Sequence, residues 1–168
     1  LAVGGLFIAV GLGLAASMTN GGGRVEAASS AGGQVAPDFR LSTLPGEPLA
    51  LTDYRGQYVL VNFWATWCPP CRAELPDLVS FYRDHAADGF MLIGVNEQEA
   101  PAIVSSYLTQ NGLDFPVVLD SNGRVMQQYG VTGMPSSFLV DPEGRIVQMW
   151  TGMISRATLE NAVTPLLN

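Results

Sequence analysis

Hydrophobic and polar positions along the chain follow two periods, one typical of strands and one typical of helices. Residues 58–64 (YVLVNFW) are almost all apolar, β-branched or aromatic, which is typical of a strand buried on both faces. Apolar side chains then recur at helical spacing, at Leu75, Leu78, Val79 and Tyr82. This pattern predicts a strand followed by a helix that begins near Cys68 and ends near residues 88–89.

Turn residues divide the rest of the chain into further strands and helices. A β-hairpin is predicted over residues 35–51, with Pro-Gly-Glu-Pro as its turn and a short turn at residues 52–54 after it. Further strands are predicted at residues 90–95, at residues 116–120, directly after Pro135 and at residues 145–151. Helices are predicted at residues 100–111, 121–129 and 155–167. The alternation of strands and helices is that of an α/β chain.

The first 18 residues carry no charge, and the first charged side chain is Arg24. A helix of this length would be about 27 Å long, close to the ~30 Å hydrocarbon core of a bilayer. We expect a transmembrane signal anchor at residues 1–18, with a cleaved signal peptide as the alternative, and four glycines argue against a buried core helix. Residues 19–34 are rich in Gly, Ala and Ser and predict a flexible linker.

The folded domain is then expected to span residues 35–168 and to lie outside the cytoplasm. Because the chain opens with Leu1 and has no basic residues ahead of its apolar stretch, we also expect that its true start is missing.

The charge of the chain excludes several classes of function. The formal net charge is −7, and all 8 basic residues are arginine. Schiff-base and phosphate-lysine chemistry need a lysine, and nucleic-acid binding needs a basic face. The sequence therefore predicts no nucleic-acid partner, while a hydrophobic content of 48% is enough to bury a core.

The chain has two cysteines, Cys68 and Cys71, separated by two prolines. Pro69 and Pro70 suit the first turn of the predicted helix, where amide groups have no helical partner. Unpaired N–H groups and the helix dipole favour a thiolate at Cys68, which makes Cys68 the expected nucleophile. Cys71 lies one turn further into the helix and can attack the mixed disulfide that Cys68 forms, so the pair can exchange two electrons.

Two other uses of a Cys-x-x-Cys pair compete with redox exchange. A zinc site would need two more ligands from carboxylates and His85, the only histidine, which is not the usual set. A stabilising disulfide across so small a loop removes little entropy from the unfolded chain. Both uses are disfavoured, and we expect neither a metal nor a cofactor.

Residues 62–76 (NFWATWCPPCRAELP) resemble the active site of membrane-anchored, extracytoplasmic thioredoxin-like proteins of the TlpA and ResA type, within the redoxin or AhpC/TSA superfamily. The resemblance runs from residue 35 to the C-terminus. It implies a thioredoxin fold, in which helices flank a central mixed sheet, with an N-terminal β-hairpin and a central strand-helix insertion. It further implies that Pro135 is cis and lies against the disulfide, that the backbone of Met134 pairs with a substrate chain, and that Trp67 walls the active site.

The same resemblance implies a membrane-tethered thiol-disulfide oxidoreductase that takes electrons from a membrane-embedded thiol carrier and reduces protein disulfides. Apocytochrome c is the usual substrate of that family. A general oxidant is the alternative, because the motif alone does not set the reduction potential.

Two other classes of protein are also considered. A peroxiredoxin would need a threonine three residues before its reactive cysteine, where this chain has Ala65. A copper chaperone of the Sco type would need Cys-x-x-x-Cys and a distal histidine, whereas His85 lies on the wrong element.

Polar residues near the cysteines are candidates for proton transfer. Glu74 follows Cys71 by three residues on the same helix face, and partial burial would raise the pKa of its carboxyl so that it accepts the proton of Cys71. A solvated carboxylate is the alternative reading of Glu74. Asn62 matches the position of a buried aspartate in thioredoxin, so that role is either empty or taken by Glu74. Glu97, after the second inner strand, is a further acidic candidate, with a solvated loop acid as its alternative.

Overall fold

The computed structural model describes residues 33–167. The expected anchor at residues 1–18 and nearly all of the expected linker lie outside the described residues, as does residue 168. No helix in the described part combines the length and the apolarity needed to cross a bilayer.

Seven strands and four α-helices make up residues 33–167. In chain order they are β1 (Arg40–Ser42), β2 (Pro48–Ala50), β3 (Tyr58–Trp64), α1 (Pro69–His85), β4 (Phe90–Glu97), α2 (Pro101–Asn111), β5 (Val117–Asp120), α3 (Arg124–Gln128), β6 (Ser136–Val140), β7 (Ile146–Thr151) and α4 (Arg156–Ala162). Short 3₁₀ turns follow three of these elements, at Leu51–Tyr54, Ala86–Asp88 and Thr164–Leu166.

β3 lies at the centre of a five-stranded mixed sheet in the order β5-β4-β3-β6-β7. It pairs in parallel with β4, with Leu60 beside Leu92, and antiparallel with β6, with Leu60 beside Leu139. All of its residues after Tyr58 are buried, which explains why this strand is a nearly continuous apolar run. β1 and β2 form a separate hairpin. The structure thus confirms the predicted α/β architecture, with its N-terminal hairpin and its central insertion of α2 and β5.

Two apolar cores cover the two faces of the sheet. On one face, α1, α2 and α4 pack against Leu60 and Trp64 of β3. On the other face, the hairpin and α3 pack against Val61 and Phe63. Because successive side chains of a strand point to opposite faces, Asn62 lies on the face of Leu60 and Trp64, beneath α1. β3 therefore presents one polar side chain, that of Asn62, to the helix that carries the cysteines.

Some element boundaries differ from the predictions where turns intervene. α3 begins at Arg124 rather than at residue 121, because residues 121–123 form a turn. α1 ends at His85, and a 3₁₀ turn then leads to Gly89, whose φ of 87° suits glycine and ends the helical segment.

The last helix is shorter than predicted. α4 ends at Ala162, and the chain continues as a 3₁₀ turn through Pro165, which has no amide hydrogen to extend an α-helix. The predicted start is confirmed, because the hydroxyl of Ser155 accepts the N–H of Thr158 at 3.2 Å.

Candidate active site

The two cysteines lie where β3 leads into α1. Cys68 is the N-cap residue of α1, the two prolines form its first turn, and a disulfide of 2.07 Å joins Cys68 to Cys71. The N–H of Cys71 donates a hydrogen bond to the Sγ of Cys68 at 3.3 Å. Cys68 is 4% exposed and Cys71 is fully buried. Cys68 therefore occupies the helix N-terminus, where a thiolate is favoured, and Cys71 lies deeper.

His85 lies at the opposite end of α1 from the disulfide. The helix has 17 residues. At about 1.5 Å per residue, this length separates His85 from Cys68 by roughly 25 Å. The ring of His85 instead contacts the carboxylate of Asp88 at 3.1 Å. His85 therefore cannot share a zinc site with the cysteines, nor act as the distal ligand of a Sco-type copper site.

Glu74 lies one turn beyond Cys71 on α1, in the core between the helix and the sheet. It is 1% exposed, which excludes the alternative of a solvated carboxylate. One carboxylate oxygen accepts a hydrogen bond from the Nδ2 of Asn62 and the other from the N–H of Ile154, each at 2.8 Å. Burial raises the pKa of Glu74 to about 7, although both hydrogen bonds favour the charged form. Glu74 is therefore poised to gain or lose a proton near neutral pH.

Asn62 connects Glu74 to the antiparallel half of the sheet. Its Nδ2 also donates to the Oγ of Ser137 in β6 at 2.9 Å, so one amide group contacts both partners. Asn62 and Ser137 are fully buried. Within residues 33–167 the Oδ1 of Asn62 has no hydrogen-bond partner. Asn62 therefore supplies N–H groups to a buried carboxylate and restricts its orientation.

The loop before β6 forms the second part of the site. The Met134–Pro135 peptide bond is cis, as the resemblance implied. The carbonyl of Pro135 accepts the N–H of Gly152 at 2.8 Å. Gly152 lies in the loop that follows β7, and two residues further along this second loop the N–H of Ile154 donates to the carboxylate of Glu74. The cis-proline loop and the buried carboxylate are thus held by the same segment, residues 152–154.

A groove of about 370 Å³ opens beside Cys68. Its walls are mainly apolar and comprise Trp67, Pro69, Pro70, Met126 and Met134. Trp67 is 64% exposed and stands at the rim. Glu97, the last residue of β4, is the charged residue of this lining. The structure therefore brings together Trp67, Cys68 and Met134, which were identified from the sequence, and places Glu97 beside them.

Sequence reasoning did not identify Glu99, which holds the loop that leads into Cys68. One oxygen of Glu99 accepts the N–H of Thr66 at 2.7 Å and the Nδ2 of Asn96 at 2.7 Å, and the other accepts the hydroxyl of Thr66. Gln98, directly before it, is the one non-glycine residue with positive φ among those described, at 53°. Strained backbone of this kind is concentrated at functional sites. No local sequence motif predicts this contact, because Thr66 and Glu99 are separated by 33 positions.

The same contact bears on the peroxiredoxin alternative. The hydroxyl of Thr66 is bound to Glu99, and the residue three positions before Cys68 is Ala65, which has no hydroxyl. The described site therefore lacks the threonine that this alternative requires.

A thioredoxin-type sheet, a disulfide at the N-terminus of a helix and a cis-proline loop beside it define a thiol-disulfide oxidoreductase. The model of the AhpC/TSA family matches residues 32–149, and the chain belongs to this family.

Relatives and solved structures agree with this assignment. The thiol-disulfide oxidoreductase ResA of Geobacillus thermodenitrificans is 38% identical over 135 residues, which cover 80% of this chain and 78% of that protein. The ResA of Bacillus subtilis is 35% identical over 129 residues, which cover 77% of this chain and 72% of that protein.

Among solved structures, a thiol:disulfide interchange protein of the thioredoxin family from Chlorobium tepidum matches with a TM-score of 0.74 and 31% identity, over 83% of this chain and 100% of that one. StoA from Bacillus subtilis matches with a TM-score of 0.66 and 35% identity, over 76% of this chain and 96% of that one. These similarities confirm the thioredoxin-like fold and the activity class.

Proposed function

We propose that the protein is a membrane-tethered reductant of protein disulfides outside the cytoplasm, with apocytochrome c as its substrate and a membrane thiol carrier as its electron donor. The observation that carries the proposal is the Cys68–Cys71 disulfide with the buried carboxyl of Glu74 one turn beyond it. The similarity to ResA supports the reaction class. The uncharged run of residues 1–18 supports the tether.

The first step is an attack by Cys68 on the substrate. In the reduced protein, amide groups and the helix dipole stabilise the thiolate of Cys68, which attacks one sulfur of the substrate disulfide. A bond forms between Cys68 and that sulfur. The substrate disulfide breaks, and its second sulfur leaves as a thiolate that takes a proton from water.

The second step is resolution by Cys71. The thiol of Cys71 transfers its proton to the carboxylate of Glu74 and attacks the Sγ of Cys68. The mixed disulfide breaks, the Cys68–Cys71 disulfide forms, and the remaining substrate sulfur leaves as a thiolate. That thiolate is protonated by water while Glu74 releases its proton. Two electrons have then moved to the substrate, and the thiol carrier restores the dithiol.

The groove supplies the contacts that orient the substrate. Met134 lines the groove and precedes the cis peptide bond, which supports the proposal that its backbone pairs with an extended substrate chain. The exposed ring of Trp67 adds apolar surface to the same groove. A polypeptide bound in this groove has its disulfide next to Cys68.

The first experiment is to measure the reduction potential of the Cys68–Cys71 pair by equilibration with glutathione and dithiothreitol buffers. A value near roughly −270 mV or lower is expected for a reductant that works in an oxidising compartment. A value near the roughly −120 mV of a strong oxidant would mean that the protein forms disulfides, and the apocytochrome proposal would fail.

The substrate and the location are tested in cells. Deletion of the protein is expected to lower the amount of cytochrome c with covalent haem, and added dithiothreitol is expected to restore it. A membrane-impermeant thiol reagent applied to intact cells is expected to label the reduced cysteines. Normal cytochrome c in the deletion strain would contradict the substrate, and protection from the reagent would contradict the location.

The proton-transfer role of Glu74 is tested by Glu74→Gln. We expect the exchange rate to fall by about 10²-fold and the pH titration of Cys71 to shift, because the proton acceptor has been removed. Asp77→Asn on the same helix is the matched control. Unchanged rates and titration in Glu74→Gln would reduce Glu74 to a structural residue.

A further inference from the structure

The groove beside Cys68 has an uneven distribution of charge. Among the described residues, its lining contains one carboxylate, that of Glu97, and no arginine or histidine. The chain has no lysine that could approach it. Within residues 33–167 the side chain of Glu97 makes no hydrogen bond and no ion pair. An acidic side chain without an ion-pair partner among the described residues therefore lines the same groove as Cys68.

A second carboxylate, that of Asp120, lies beside Glu97 on the neighbouring strand. Glu97 and Asp120 are register partners in the parallel pair of β4 and β5, so their side chains share one face of the sheet. Asp120 is fully buried, and one of its oxygens accepts the N–H of Met126 at 2.9 Å. Its other oxygen, Oδ1, has no hydrogen-bond partner among the described residues.

Within residues 33–167 neither carboxylate takes part in an ion pair. Burial and the negative charge of Asp120 raise the pKa of Glu97 above its ordinary value. The ion pairs of the described residues lie elsewhere, around His85 and Arg156. A cation brought by a ligand would relieve this repulsion, whereas an anion would increase it.

We infer that Glu97 is a specificity residue, which selects disulfides in polypeptides that carry a cationic side chain close to the attacked cysteine. The inference rests on the proposed reduction of protein disulfides in this groove. The apolar walls formed by Trp67 and Met134 accept the neighbouring residues of the substrate, and Glu97 is paired with the arginine or lysine. A substrate with an acidic residue at that place adds a negative charge beside Glu97, which already lies next to Asp120, and is disfavoured.

The test uses three synthetic peptides, each closed by one disulfide and identical except for a lysine, a glutamine or a glutamate next to one cysteine. Their single-turnover reduction by the reduced full-length protein is measured, and each rate is divided by the rate with dithiothreitol to remove the intrinsic reactivity of the peptide. We expect the lysine peptide to react about 10-fold faster than the glutamate peptide.

Variants of Glu97 sharpen the test. In Glu97→Gln the preference is expected to shrink to less than about 2-fold, and in Glu97→Arg it is expected to invert. Because the Glu97 side chain makes no hydrogen bond, both variants should fold, which thermal unfolding checks. Glu143→Gln is the matched control, since it removes the same charge from the turn at the far end of β6 and should leave the preference intact.

The outcomes separate the inference from the proposed function. Equal normalised rates for all three peptides would overturn the inference while leaving disulfide reduction in place. An equal loss of preference in Glu143→Gln would also overturn it, because it would assign the effect to net charge. If none of the peptides is reduced, the proposed function itself fails. If wild type prefers lysine and Glu97→Arg prefers glutamate, the assignment of Glu97 stands.

Discussion

The two sides of the Cys68–Cys71 disulfide differ in how they hold a carboxylate. On the buried side, Glu74 accepts hydrogen bonds from Asn62 and Ile154, at 2.8 Å each. On the groove side, Glu97 has no hydrogen-bonding or ionic partner among the described residues. The protein therefore surrounds Glu74, the proposed proton acceptor, with hydrogen-bond donors. It gives Glu97, which lines the groove, no such partner among the described residues.

Removal of each sulfur in turn is expected to have the largest effect on activity. We expect Cys68→Ser and Cys71→Ser both to lose turnover completely, because a dithiol is needed for two-electron exchange. Cys71→Ser should still attack once and accumulate a mixed disulfide with the substrate, whereas Cys68→Ser should not. Mass spectrometry of the unreduced protein after mixing with a peptide disulfide distinguishes them. Accumulation of the adduct in Cys68→Ser alone would reverse the assigned roles.

The two tryptophans near the site give the next largest contrast. Trp64 is fully buried and packs against Tyr107 and Phe115, while Trp67 is 64% exposed. Trp64→Ala is expected to lower the free energy of unfolding by about 3–5 kcal/mol, and Trp67→Ala by less than about 0.5 kcal/mol.

The effect on reaction rate should be the larger for Trp67→Ala, although its effect on stability is the smaller. Trp67→Ala is expected to slow the reduction of protein disulfides, with little effect on a small thiol reagent, because the wall of the groove is lost. Denaturant unfolding and rate measurements check both expectations, and Trp64→Phe replaces Trp64→Ala if the latter does not fold. Equal destabilisation by both alanine variants would contradict the contrast.

The buried carboxyl of Glu74 should also make the free energy of unfolding depend on pH. The pKa of Glu74 is raised from 4.5 to about 7 in the folded protein. Between pH 4.5 and about pH 7, the folded state therefore binds more protons than the unfolded state. The stability from this group is fully present below pH 4.5 and is lost as the pH rises through 7. A shift of this size corresponds to about 3 kcal/mol.

The measurement is denaturant unfolding of the oxidised protein at several pH values, since disulfide-bonded cysteines do not titrate. The difference between wild type and Glu74→Gln isolates the contribution of Glu74. Parallel stability curves for the two proteins would show that Glu74 has an ordinary pKa.

The smallest expected effect concerns the loop between the two sides. Glu99→Ala removes the acceptor of the Thr66 N–H and hydroxyl and should cost about 1–2 kcal/mol, because water can partly replace the carboxylate. Hydrogen exchange at the Thr66 amide should accelerate more than exchange at the amides of β3. In Glu99→Gln, which keeps one acceptor oxygen, the exchange rate at Thr66 should lie between the rates of the wild type and of Glu99→Ala. Unchanged exchange at Thr66 in Glu99→Ala would show that this contact does not hold the loop.

Much of the fold could be predicted because its signals are local. β3 is a nearly unbroken apolar run because the two cores bury its side chains on both faces of the sheet. α1 has a proline-rich first turn and apolar residues at helical spacing. The positions of the cysteines at the helix N-terminus followed directly from these two elements. The cis bond at Pro135 was predicted from the resemblance alone, since the sequence around it is not distinctive.

The contacts within the site were harder to predict because they join distant parts of the chain. Ile154 and Glu74 are 80 positions apart, and Ser137 and Asn62 are 75 apart. The spacing from Cys71 indicated burial of Glu74, but no pattern identified its donors. Glu97 could be proposed only as an acid near the site, because its pairing with Asp120 depends on the register of two parallel strands.

The chain enters the described fold far from its sulfurs. Gln34 accepts the N–H of Ile146 at 2.8 Å, at the end of β7 that pairs with Val140. The groove lies at the other end of β6, next to Ser136, and at about 3.3 Å per residue the length of β6 separates the two by roughly 13 Å. A support or a fused partner attached ahead of Gly33 would therefore join the described fold at the opposite end of β6 from the groove. We expect the protein, immobilised on a resin through its N-terminal side, to keep its groove open to a polypeptide substrate.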